Sequence, residues 1–194
     1  MTAKALTSRL LLFQIRISLA ACLVFSGLTE KALPQTHPPA EYALKAVFLY
    51  NFTNFVAWPD SAFADSQSAI VIGVLGDDPY GIYLDETVRN ELVNNRPLKV
   101  ERFSRAEEVK ECHVLYISHS EESHAREIVD SLKQRSILTV ADADGFGNAG
   151  VMIRFATEKK KIKLKIDVEA AKKAELTISS KLLRLADIVK PRKD

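Results

Sequence analysis

AIVIGVLG, residues 69–76, decides what kind of protein this chain makes. It is a short, continuous apolar run rich in β-branched residues, and it closes on glycine. A strand buried on both faces has that pattern. DDPYGIYLDETVRNELV follows with a turn at Asp78-Pro79 and predicts a helix with Ile82, Leu84, Val88 and Leu92 roughly on one side.

The same alternation continues downstream. Residues 98–103 alternate apolar and charged side chains as a half-exposed strand does, and HVLYIS (113–118) and SILTVAD (136–142) read as two further buried strands. SEESHAREIVDSLKQ between them predicts a helix capped by Ser120 with glutamates in its first turn. ADADGFGNAG is dense in turn residues. VMIRFATEKKKIKLKID (151–167) predicts a hairpin in which Ile162, Leu164 and Ile166 alternate with lysines, giving one wet, basic face. SSKLLRLADIVK predicts a serine-capped closing helix with Leu182, Leu183, Leu185, Ile188 and Val189 as its stripe. Strands alternating with helices, then a hairpin and a final helix, imply an α/β domain with a mixed sheet flanked by helices.

Upstream, YALKAVFLYNFTNFVAWP (42–59) carries one charge, Lys45, and ends in the chain's only tryptophan. Leu44, Phe48, Phe52 and Phe55 recur at helical spacing, and Pro59 stops a helix at the residue before it. Val47, Leu49, Tyr50, Val56 and Trp58 spread apolar surface around the rest of the cylinder. Such a helix is either buried on several sides or presents aromatic surface to a partner.

The 194 residues are 47% hydrophobic and 27% charged, the balance of an ordinary globular chain. Residues 1–28 read as a secretory signal, with Lys4, Arg9 and Arg16 before an apolar run too short to span a bilayer comfortably. LAAC (19–22) is a lesser alternative, a lipoprotein box acylated at Cys22. Proline-rich residues 29–40 read as a linker, residues 41–189 as one domain and 190–194 as a tail. Removing the signal leaves a nearly neutral chain without the electrostatic footprint of a nucleic-acid binder. It also leaves Cys112 as the one thiol, so no internal disulfide forms; buried and inert is its expected role, with pairing between chains the alternative.

No catalytic set emerges. Gly73, Gly76 and Gly81 fit neither a dinucleotide fingerprint nor a P-loop, and Asp77 and Asp78 would repel a phosphate, so turn geometry explains them. Asp142 and Asp144 begin like a calcium loop but lack its remaining ligands, and a solvent turn is expected there. His37, His113, His119 and His124 show no zinc spacing. Neither a metal nor a cofactor is expected.

EYALKAVFLYNFTNFVAWP, IVIGVLGDDPYG, CHVLYIS, SILTVADADGFGNAGVMIRF and ISSKLLRLADIV, in that order, resemble the YfiR family of bacterial periplasmic proteins over about residues 41–189. The resemblance implies a non-enzymatic periplasmic regulator that binds the periplasmic sensory domain of an inner-membrane diguanylate cyclase and holds it inactive, lowering cyclic di-GMP. It also implies possible homodimers, and a cysteine in the strand matched by IVIGVLG that pairs with that of CHVLYIS. This chain has no thiol in IVIGVLG. Tyr50, Phe55 and Trp58 are the residues expected at a partner surface. A periplasmic small-molecule sensor is the alternative reading.

Overall fold

The computed structural model of the protein describes residues 40–142, 146, 149–158 and 161–189. The expected signal, nearly all of the linker, the tail, Cys22, His37 and Asp144 lie outside them. AIVIGVLG forms β2 (Ile70–Leu75), buried at every position. It lies between β4 (Arg96–Phe103) and β5 (Val114–Ile117), parallel to both. β6 (Leu138–Ala141) and β7 (Ile153–Glu158) continue the parallel set beyond β5. β8 (Lys161–Ile166) returns antiparallel to β7, as the alternation of isoleucine, leucine and lysine requires. The eight-stranded order is β10-β8-β7-β6-β5-β2-β4-β3.

Side chains alternate between two apolar layers. Ile72, Val74, Val114, Tyr116, Leu138, Val140, Ile153, Phe155, Leu164 and Ile166 pack on one face beneath α1 (Ala40–Phe55) and α2 (Ile82–Val88). Leu75, Leu115, Ile117 and Ala141 line the other face, under α3 (Ala125–Ser131) with its Ala125 and Ile128. A mixed sheet flanked by helices is therefore the fold, as the alternation implies.

Several elements differ in extent from the expectation. α1 ends at Phe55, not at Trp58, because Val56–Ala57 (β1) pairs antiparallel with β9 (Thr177–Ile178). α2 stops at Val88, so Leu92 belongs to β3 (Leu92–Val93), and both Leu92 and Ile82 are exposed. Asn94 and Asn95, at φ 53° and 65°, make the two-residue turn that pairs Val93 with Arg96. Positive φ at both central positions is what such a hairpin demands, and asparagine tolerates it. Ser120 is not a helix cap: residues His119–His124 form a 3₁₀ turn, and the Ser120 hydroxyl accepts from the Asp77 N–H at 3.0 Å.

Asp167 accepts from the Ala170 N–H and opens α4 (Val168–Lys173), a helix that sequence patterning does not single out. Ser179 accepts from the Lys181 N–H and caps α5 (Ser180–Leu183) as expected, but the closing helix is only a single turn. The chain then runs as β10 (Ala186–Ile188), parallel to β8, which leaves Leu185 and Ile188 exposed rather than on a buried stripe.

Candidate functional site

In an open sheet of this winding, β4 lies on one side of β2 and β5 on the other, so a crevice would open at the carboxyl ends of β2 and β5. Here that position is filled. Gly76, at φ +84°, brings its backbone so close to the Ser120 hydroxyl and to Glu121 that a Cβ would collide with both. Asp78 closes a turn by accepting from the Tyr80 and Gly81 N–H groups, and Arg102 bridges Asp78 and Asp85 at 2.7 and 2.6 Å. Asp78 thus serves turn geometry.

Beside this crevice lies a polar cluster. Lys45, the single charge of the apolar helix, is only 3% exposed. Its Nζ donates to Asp142 Oδ2 at 2.8 Å and lies 2.8 Å from Glu41. Tyr42 donates to the same carboxylate at 2.9 Å and Tyr116 at 2.8 Å. The ring of Tyr80 stands edge-on to both, its centroid 5.6 Å from that of Tyr42 and 4.8 Å from that of Tyr116. Asp142 is therefore a buried anchor, not the solvent turn expected of it.

Burial alone would raise the Asp142 carboxyl, but Lys45 and the two phenols outweigh it and hold it below its ordinary value. Burial, then Asp142, pushes the Tyr42 hydroxyl up to about 12, and Tyr116 and Tyr80 are raised further, chiefly by burial. At neutral pH the carboxylate is charged and the phenols are protonated, so each group keeps the proton state its bonds require. The cluster acts as a latch that pins α1 to the end of β6.

The opposite end of α1 leads into an aromatic corner. Trp58 Nε1 donates to the His113 carbonyl at 3.2 Å. The His113 ring stacks on Phe63 at 4.5 Å, and the Arg96 guanidinium covers Phe63 at 3.8 Å. His113 Nδ1 accepts from the Val71 N–H at 3.1 Å, which places the ring proton of the neutral form on Nε2. Burial depresses the basicity of this imidazole. Cys112 next to it is buried, and desolvation pushes its thiol up to about 12.

Tyr50, Phe55 and Trp58 are each half-buried, and they do not converge on one spot. Tyr50 donates to Glu91 at 2.9 Å, Phe55 packs on the larger apolar cluster five residues along the helix, and Trp58 lies beyond the helix end. The fully outward apolar residues of α1 are instead Leu44 and Val47, 50% and 41% exposed. Their spacing of three, opposite the buried Lys45, Ala46, Leu49, Phe52 and Thr53, is the signal that finds them.

An open groove of about 260 Å³ lies between the 3₁₀ turn Ala106–Glu108 and α3, lined by Arg105, Glu107, Glu121, His124, Glu127 and their neighbours. Its lining sets Arg105, three glutamates and His124 beside Ala106, Ile128 and two serines. No helix among the described residues is long and apolar enough to cross a membrane.

The domain is a mixed sheet flanked by helices, and its first helix turns Leu44 and Val47 outward. The chain belongs to the YfiR/HmsC-like family, whose model matches residues 42–187. That family comprises periplasmic regulators of cyclic di-GMP signalling. No curated protein matches the chain in sequence.

Proposed function

We infer that this protein is a periplasmic inhibitor that engages the periplasmic sensory domain of an inner-membrane diguanylate cyclase and so lowers cyclic di-GMP. Family membership over residues 42–187 is the observation that carries this reading. The exposed pair Leu44 and Val47, with the half-buried Tyr50, Phe55 and Trp58, supplies its contact surface along α1 and its exit. Catalysis lies across the membrane from that contact. Binding therefore inhibits by favouring one of two states of the sensory domain, through an affinity that differs between them.

Leu44→Glu combined with Val47→Glu tests the proposed surface, because both side chains already face water. The double variant is expected to keep native melting and lose at least tenfold in affinity for the cyclase, each apolar side chain contributing about 1 kcal/mol or more. Undiminished affinity in the folded variant removes this face from the interface.

A further inference from the structure

The basic hairpin presents a face that no part of this reading uses. Residues 154–165 hold six cations (Arg154, Lys159, Lys160, Lys161, Lys163 and Lys165) against Glu158. That segment carries +5 in a chain of +2, which leaves the other residues at −3.

The strand register gathers its charge. Arg154 stands opposite Lys165, Ala156 opposite Lys163 and Glu158 opposite Lys161, and β10 adds Asp187 beside Lys165. All of these project from the side of the sheet opposite α1, since Ile153, Phe155, Leu164 and Ile166 fill the α1 side. No residue of β7, β8 or β10 belongs to the apolar cluster beneath α3. On this face Lys165 pairs with Glu158 at 4.0 Å.

Two features define what fits there. Like charges directly opposite one another weaken a ladder, and Arg154 stands opposite Lys165, which only Glu158 and Asp187 offset on this face among the described residues. Cations also repeat at strand spacing, roughly 7 Å apart along a strand and about 5 Å between strands. The residue between them is Ala156, and among the described residues of the hairpin no aromatic side chain stands on this face. Lysine is depleted from protein interfaces and their energetic centres are aromatic or arginine-rich, so a protein partner is the poorer match.

We propose that the outer face of the β7–β8 hairpin, carried by Arg154, Lys161, Lys163 and Lys165, docks on an anionic lipid bilayer. Docking in this way leaves α1, on the opposite side of the sheet, free. The proposal stands independently of the cyclase reading.

Flotation of the purified protein with vesicles tests it. Vesicles of phosphatidylcholine with about 30% phosphatidylglycerol are expected to bind at least tenfold more protein than phosphatidylcholine alone, each basic residue near such a surface adding roughly fivefold. Raising salt from about 50 to about 500 mM abolishes the difference by screening. Lys161→Glu with Lys163→Glu, both exposed, should melt like the parent protein and fail to float, while Lys161→Gln with Lys163→Gln falls between. Equal binding to both vesicle types overturns the proposal, as does full flotation of the folded glutamate variant. Loss of cyclase binding in that variant, with no vesicle binding by the parent, identifies the face as a protein contact and likewise overturns it.

Discussion

Lys45 Nζ sits 2.8 Å from Asp142 Oδ2 across 97 residues of chain, with both side chains under a tenth exposed. This pair ties the first helix to the end of a central strand. It governs where every outward residue of α1 points.

Removing Lys45 leaves the Asp142 carboxylate without its cation, held only by the Tyr42 and Tyr116 hydroxyls. Lys45→Met is expected to destabilise the domain by about 3–5 kcal/mol in urea unfolding. Adding Asp142→Asn removes the orphaned charge while keeping an acceptor for Tyr42 and Tyr116, so the double variant should recover part of the loss. A Lys45→Met protein with parental stability would show that the latch does not hold α1.

Acid should act on the same carboxylate. Asp142 is held below its ordinary value of 3.8 in the folded state, so its contribution is fully present above that value and is lost as the pH falls through the lower folded value. Asp142→Asn is expected to flatten the unfolding free energy against pH in this acid window. An unchanged slope there would assign acid unfolding to other carboxylates.

His113 contributes in a different window. Its folded basicity lies below the ordinary 6.5, so the unfolded chain binds the proton first and stability drops as the pH falls below about 6.5, with a slope up to ~1.4 kcal/mol per pH unit. Above neutrality no such slope remains. His113→Asn, which still offers an acceptor to the Val71 N–H, should abolish the slope between neutral and mildly acidic pH. A retained slope would place the titrating group elsewhere.

The strand floor at Gly73 has no room. A Cβ there would lie 2.8 Å from Cys112 Sγ, 2.8 Å from Phe103 and 2.9 Å from Leu115. Gly73→Ala is expected to cost roughly 1–3 kcal/mol by overpacking, whereas Cys112→Ser should cost on the order of 1 kcal/mol. Thiol reagents should modify Cys112 only as fast as the domain opens, given its burial and raised thiol. Rapid labelling of the folded protein would contradict this packing.

The buried strands were legible because a strand covered on both faces reads as an unbroken apolar run, as at Ile70–Leu75 and Val114–Ile117. Leu92 and the LADIV segment misled for a related reason, since short apolar runs fit a helix or a strand equally well. The Asn94-Asn95 pair was the local clue that a hairpin begins there. Lys45 was conspicuous as the lone charge of its helix, but its partner follows a strand far along the chain, and no local pattern announces Asp142. Leu44 and Val47 showed only as a spacing of three on a helix apolar nearly all round, and that distant contact decides which of its faces is outward.

The decisive measurement is turnover of the cell's own membrane-embedded, full-length diguanylate cyclase with and without the purified protein on its periplasmic side. Saturable inhibition at stoichiometric binding is expected, weakened at least tenfold by Leu44→Glu with Val47→Glu. Unchanged cyclic di-GMP synthesis, with no detectable binding of the parent protein to the cyclase, would contradict it.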